Sequence, residues 1–147
     1  MIIVKLIGGL GNQMFQYALG RQLAEINNCS FKTDTTGFEK YKLHHYALSA
    51  FNIVENMASP DEVRELTQGS PEGFSAKLMR KVTEKKRLPN SYIREKQFGF
   101  DAQILKSKDG SYLEGYWQSE KYFMDIRQKM LSEFSVKSPQ IGKDKLI

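Results

Sequence analysis

Ile2-Ile3-Val4-Lys5-Leu6-Ile7-Gly8-Gly9-Leu10-Gly11-Asn12-Gln13 follows the initial Met1, and this stretch decides the fold. The apolar run over residues 2–7 reads as a buried strand. Gly8, Gly9 and Gly11 then let the backbone bend tightly and approach a ligand with no Cβ in the way. A helical pattern begins at once, so the turn presents backbone N–H groups and the positive end of a helix dipole. Strand, glycine turn and helix start together predict a phosphate site, and a diphosphate-linked donor or cofactor is the first expectation. The spacing narrows it. Dinucleotide folds use G-x-G-x-x-G/A, whereas Gly9-Leu10-Gly11-Asn12-Gln13-Met14 puts a bulky side chain at the third glycine position.

Working outward, Phe15, Leu19, Leu23 and Ile26 recur at roughly helical spacing, which predicts a helix over residues 13–27 with Asn12 as its cap. A short strand over residues 30–33, ending in Asp34 and the loop Thr35-Thr36-Gly37, completes a β-α-β opening. Ser59-Pro60-Asp61-Glu62 is a helix start with acids in its first turn. Gln68-Gly69-Ser70-Pro71-Glu72-Gly73 breaks the pattern, and a helix over residues 74–86 stops before Pro89. Tyr92-Ile93-Arg94-Glu95 reads as a strand. Beyond the Asp109-Gly110 turn a strand is expected over residues 111–116. A helix over residues 119–134, capped by Ser119, would place Tyr122, Ile126, Met130 and Phe134 on one face. The fold class is α/β: a Rossmann-like parallel sheet with flanking helices.

At 147 residues the chain fits one domain, able to bury roughly 70% of its unfolded surface. Hydrophobic residues at 40% and charged residues at 27% are ordinary for a soluble globular chain. No apolar run approaches the ~20 residues that span a bilayer, and no basic region precedes the first apolar stretch as in a signal peptide. The cytoplasm is the expected location. The single Cys29 cannot form an internal disulfide and reads as a small hydrophobe. A net charge of +5 favours anionic partners. Its densest block, Lys77, Arg80, Lys81, Lys85, Lys86 and Arg87, lacks the interleaved aromatics of nucleic-acid modules. That block reads as a solvated face, with contact at the inner face of an anionic membrane as the alternative.

The segment Gly8-Gly9-Leu10-Gly11-Asn12-Gln13-Met14-Phe15-Gln16-Tyr17-Ala18 resembles the N-terminal signature of the bacterial α-1,2-fucosyltransferases. Gly115-Tyr116-Trp117-Gln118-Ser119-Glu120-Lys121-Tyr122-Phe123 resembles that family's G-Y-x-Q-S-E-K-Y-F segment, in the same order along the chain. Between them, Tyr41-Lys42-Leu43 and Phe51-Asn52-Ile53 agree less distinctively. The resemblance implies the N-terminal, acceptor-side domain of a GT-B type glycosyltransferase over residues 1–137. Residues 138–147 would be a linker toward a C-terminal donor-binding domain. It also implies inverting, metal-independent transfer of L-fucose from GDP-fucose to the 2-hydroxyl of galactose in a surface glycan. Members of the family carry a His-x-Arg-Arg-Gly-Asp motif whose arginine contacts the donor diphosphate. The two histidines here, His44 and His45, are followed instead by Tyr46 and Ala47. The expectation is therefore a half-enzyme, inactive by itself, with no catalytic residue assigned.

The candidate donor- and acceptor-binding residues are Gly8, Gly9, Leu10, Gly11, Asn12, Gln13, Asp34, Trp117 and Gln118. Asn12 and Gln13 offer neutral amides to phosphate or sugar oxygens. Trp117 and Gln118 belong to a second constellation with Glu114, Tyr116 and Glu120, where aromatic faces suit sugar C–H surfaces, although a Tyr-Trp pair at a strand end is also ordinary core. Asp34, about twenty residues past the glycines, stands where a dinucleotide enzyme places its ribose-binding acid, and a polar strand end explains it equally well. Adjacent histidines rarely share one metal ion, so no metal is expected. Two other readings stay open: a small dinucleotide-binding domain, and a non-catalytic module that binds glycan or a partner chain.

Overall fold

The computed structural model describes residues 1–67 and 90–139. The glycine break at 68–73, the helix expected over 74–86, the basic block and residues 140–147 lie outside the described residues.

Strands β1 (Ile2–Lys5), β2 (Phe31–Asp34), β3 (Tyr92–Arg94) and β4 (Ser111–Glu114) form one parallel sheet in the order β2-β1-β4-β3. In register, Ile2 lies opposite both Phe31 and Ser111, and Tyr92 lies opposite Tyr112. Side-chain alternation divides the sheet into two faces. Ile2, Val4, Leu6, Phe31 and Leu113 join the core with Tyr17, Leu19 and Leu23 of helix α1 (Leu10–Asn27). The opposite face carries Lys5, Asp34, Tyr92, Arg94, Tyr112 and Glu114, tied together by hydrogen bonds and ion pairs. The fold is α/β and Rossmann-like, as the opening residues predict.

Helix α1 begins three residues earlier than the periodicity indicates. Gly8 takes φ +76°, a left-handed conformation that L side chains rarely adopt, and Gly9 is the N-cap with no side-chain cap bond. Asn12 is thus inside the first turn and not the cap. Gly20 does what the third fingerprint glycine does in dinucleotide folds, six residues beyond that position: a Cβ there would fall 2.1 Å from Phe31 Cε2 and 2.7 Å from Val4 Cγ2. The helix backbone therefore rests directly on the sheet, while Met14 packs at the edge of the core.

Helix α2 (Pro60–Thr67) has the expected start. The Glu62 N–H donates to Ser59 Oγ at 3.2 Å and the Ser59 N–H to Glu62 Oε2 at 2.8 Å, a reciprocal capping box. The single helix expected over residues 119–134 is a correction: two 3-10 turns, Glu120–Tyr122 and Met124–Ile126, precede helix α3 (Arg127–Glu133). Spacing by four located the inward residues, since Tyr122 and Met130 are buried and Ile126 and Phe134 pack on the core. It did not register that Phe123, at φ −140°, interrupts the helical path. Ser119 still caps the first turn, accepting from the Lys121 N–H. Helix α3 is anchored to α1 by Glu133, which accepts from Tyr17 Oη at 2.6 Å and pairs with Arg21 at 2.7 Å. Among the described residues no helix is long and apolar enough to cross a membrane.

Candidate functional site

In an open parallel sheet, ligands bind beyond the carboxyl ends of the strands, where neighbouring connections leave in opposite directions. In the order β2-β1-β4-β3 the neighbouring strands β1 and β4 release their following segments side by side at that edge. The two sequence segments singled out above meet there. Residues 8–12 leave β1, residues 115–118 leave β4, and Gln118 Nε2 donates to Asn12 Oδ1 at 2.6 Å across 106 residues of chain.

Gln16 builds the floor of this crevice. It is fully buried, its Oε1 accepts from the Ile7 N–H at 3.0 Å, and its Nε2 donates to Gly115 O at 2.9 Å. One amide thus ties the ends of both strands together. Gln13, one helical turn earlier, builds the wall: its Nε2 donates to Gly8 O (3.0 Å) and His45 O (2.9 Å), and its Oε1 accepts from the Ala47 N–H (3.0 Å). Gln13 was expected to offer its amide to a ligand; here that amide is buried and engaged within the chain. Neither part is legible from composition, though two polar residues three apart on the buried side of a helix are the signal that could have shown them.

The first intrahelical bond of α1 runs from the Gln13 N–H to Gly9 O, so the amides of Leu10, Gly11 and Asn12 come before any helix acceptor. Leu10 and Gly11 are exposed, and a Cβ on Gly11 would meet nothing within 4 Å. Backbone shape demands a glycine at position 8; at position 11 glycine leaves the side of the turn open. The His44 ring borders the same turn, 3.6 Å from where a Gly9 Cβ would be, and is exposed. From sequence this histidine reads neither as a metal ligand nor as the start of a His-x-Arg-Arg-Gly-Asp motif, and its place beside the turn was not foreseen.

The far wall is shaped by Glu95, a residue the sequence did not single out. Its carboxylate accepts from the Tyr116 N–H at 2.7 Å and the Trp117 N–H at 3.1 Å. The side chain lies so close to Gly115 that a Cβ there would fall 2.5 Å from Glu95 Cβ. Two carboxylate-held amides help offset the left-handed backbone at Trp117, φ +56°, a conformation costing on the order of 1 kcal/mol for such a residue. Trp117 consequently turns inward, 1% exposed and edge-on to Tyr122, as a core residue, while Gln118 stays at the surface.

Asp34 is not at this crevice. It ends β2, is buried, and accepts from the Thr36 N–H (3.0 Å), Thr36 Oγ1 (2.7 Å) and Tyr112 Oη (2.6 Å). Burial, then the charge and hydrogen bond of Asp34, push the Tyr112 hydroxyl well above the usual tyrosine range. Beside it, burial raises the Glu114 carboxyl, but hydrogen bonds from Tyr92 and Lys5 and the Lys5 charge outweigh that and hold it below the usual carboxylate range. On this face Asp34 is taken up by Tyr112 and Thr36, and Glu114 by Lys5, Tyr92 and Arg94.

The glycine turn, whose first helix amides have no intrahelical acceptor, and the segment after β4 thus stand side by side at the carboxyl edge of an α/β sheet, held by Gln16 and the Asn12–Gln118 bond. Over 137 residues the chain is 30% identical to an alpha-1,2-colitosyltransferase of Escherichia coli, a match covering 92% of this chain and 45% of that protein. The chain therefore spans about half the length of the curated relative it matches. No family model matches the chain, and no solved structure matches it.

Proposed function

We propose that this chain forms the N-terminal half of a glycosyltransferase that moves a 6-deoxy-L-hexose from a nucleotide diphosphate donor to a glycan hydroxyl. The fucosyl form of the reading is inverting, metal-independent transfer of L-fucose from GDP-fucose to the 2-hydroxyl of galactose. The observation that carries it is the meeting of residues 8–12 and 115–118 at the crevice, joined by the Asn12–Gln118 bond. Likeness to a colitosyltransferase over most of the chain supports the same chemistry. Colitose is fucose without its 3-hydroxyl, so the two donors differ by one hydrogen-bonding group. A site built to bond a hydroxyl rejects the analogue lacking it far more strongly than an apolar pocket rejects an added one.

In this reading the open amides of Leu10, Gly11 and Asn12 face the developing negative charge on the leaving diphosphate. The paired Asn12 and Gln118 side chains hold sugar hydroxyls, and an arginine-bearing second domain holds most of the donor charge. Residues 1–137 are the acceptor-side domain and residues 138–147 lead to the second one.

The test is product formation from GDP-fucose, or its 3-deoxy analogue, and a β-galactoside, with this chain supplied alone and together with a separately expressed C-terminal half. Transfer is expected only from the combination, and Asn12→Ala should reduce it far more than Ser119→Ala. Turnover by the chain alone at roughly 1 per second or more, an ordinary enzymatic rate, would sink the half-enzyme reading. Tight NAD or FAD binding with no transfer would favour a dinucleotide-binding domain instead.

A further inference from the structure

We propose that Gly8 is a positioning residue of the crevice: its missing side chain seats the Asn12 carboxamide and so fixes the Asn12–Gln118 pair as a receptor for a hydroxyl; this rests on the reading of the crevice as the ligand site. A left-handed φ already favours glycine at position 8. A second constraint is independent of φ. A Cβ there would fall 2.6 Å from Asn12 Nδ2 and 3.4 Å from Asn12 Cβ and Cγ, so the amide lies folded back over the Gly8 α-carbon. The other glycines of the turn impose nothing comparable: a Cβ on Gly9 would make ordinary contact with the His44 ring, and one on Gly11 would meet nothing within 4 Å. The backbone around Gly8 is held from beneath. The Ile7 N–H donates to Gln16 Oε1 at 3.0 Å, Ile7 O accepts from Gln16 Nε2 at 3.3 Å, and Gly8 O accepts from Gln13 Nε2 at 3.0 Å, both glutamines being fully buried. A side chain at position 8 would therefore displace the free end of the Asn12 side chain and not the turn.

With Nδ2 against Gly8, Asn12 presents Oδ1 to the segment after β4, where it accepts from Gln118 Nε2 at 2.6 Å. Gln118 is exposed, and that bond leaves its Oε1 acceptor and its second Nε2 proton without a partner among the described residues. An acceptor and a donor on one carboxamide match a hydroxyl, which gives one bond and takes another. A phosphate oxygen only accepts, and Oε1 would repel it.

The experiment is nuclear Overhauser NMR on the full chain, comparing the natural sequence with Gly8→Asn. Asparagine tolerates left-handed backbone better than most side chains, so this variant spares φ while filling the seat. The natural chain should show cross-peaks from the Asn12 side-chain amide to the Gly8 α-protons and from the Gln118 side-chain amide to Asn12. Gly8→Asn should stay folded and lose the second. Survival of the Asn12–Gln118 cross-peak in Gly8→Asn, or unfolding of that variant, would overturn the seat. Inorganic pyrophosphate should leave the Gln118 side-chain amide signal in place, and a shift there would overturn the hydroxyl assignment. The transfer assay reads the other claim separately. Gly8→Asn, Asn12→Ala and the two together should each reduce transfer by about tenfold, as for loss of one hydrogen bond, with no further loss in the double variant. No transfer by the natural chain and its second half, with both cross-peaks present, would sink the transferase and keep the seat. Unchanged transfer in Gly8→Asn would overturn the role of Gly8 in the reaction.

Discussion

At the carboxyl edge of one parallel sheet, different strand ends carry polar residues that look alike in sequence and behave oppositely in the fold. At the end of β2, Asp34 is sealed in: Thr36 and Tyr112 take up its oxygens and the side chain is 2% exposed. At the ends of β1 and β4, Asn12 and Gln118 meet at the surface and are held by a single bond to each other. The difference teaches that a polar residue at a strand end becomes available to a ligand only if its hydrogen-bonding capacity is not already matched inside the chain. Asp34 and Gln13 fail that criterion; Asn12 and Gln118 meet it.

The sharpest way to break the comparison is to open the closed end. Asp34→Ala leaves the buried Tyr112 hydroxyl and the Thr36 amide without an acceptor, and should destabilise the fold by about 3 kcal/mol, read from denaturant midpoints. Gln13→Ala strips Gly8, His45 and Ala47 of their partner and should cost about 2 kcal/mol. Its effect on the crevice would come through the displaced loop of residues 44–47.

The closed end also has a pH signature. Because the folded Tyr112 hydroxyl lies above its unfolded value of about 10, it contributes stability that is fully present below that pH and is lost as pH rises past it. Circular dichroism in alkaline solution should show the natural chain losing stability, and Tyr112→Phe should lessen that dependence, the other buried tyrosines such as Tyr17 keeping part of it. A curve unchanged by Tyr112→Phe would deny that burial and Asp34 hold this hydroxyl above the usual tyrosine range.

Changes at the open end should be small in stability. Gly11→Ala removes a glycine from the first turn of α1, where its Cβ meets nothing, and should stabilise the chain by about 0.5–1 kcal/mol. Asn12→Ala should alter stability by no more than about 0.5 kcal/mol, since it loses one exposed bond. A large stability loss in either variant would erase the distinction between the two ends.

Much of the fold was legible because it rests on local chemistry. The apolar run, the glycine turn and the 3.6-residue repeat led to β1, α1 and β2 in parallel, and the Ser59–Glu62 capping box was readable from four letters. The start of α1 was misplaced because Gly9 caps it through backbone conformation alone, with no side-chain signature. The single helix over residues 119–134 failed because spacing by four survives an interrupted path. At the site, the two segments were visible but their meeting was not, since the Asn12–Gln118 bond depends on strand order. Glu95 was missed for a related reason, since it acts on backbone groups of another segment; Gln16 was missed although its spacing from Gln13 on the buried side of α1 is a local signal. Asp34 drew attention by its distance from the glycines, and that distance says nothing about Tyr112 arriving from β4.

The most direct test of the crevice is a titration of the ¹⁵N-labelled chain with GDP-fucose and, separately, with a β-galactoside, following every backbone amide. NMR reads weak binding as well as tight, so this chain by itself suffices. The amides of residues 9–12 and 115–118 should shift with ligand while those of residues 34–37 stay in place. Shifts centred on residues 34–37, or a glycine turn that responds to neither ligand, would contradict the account.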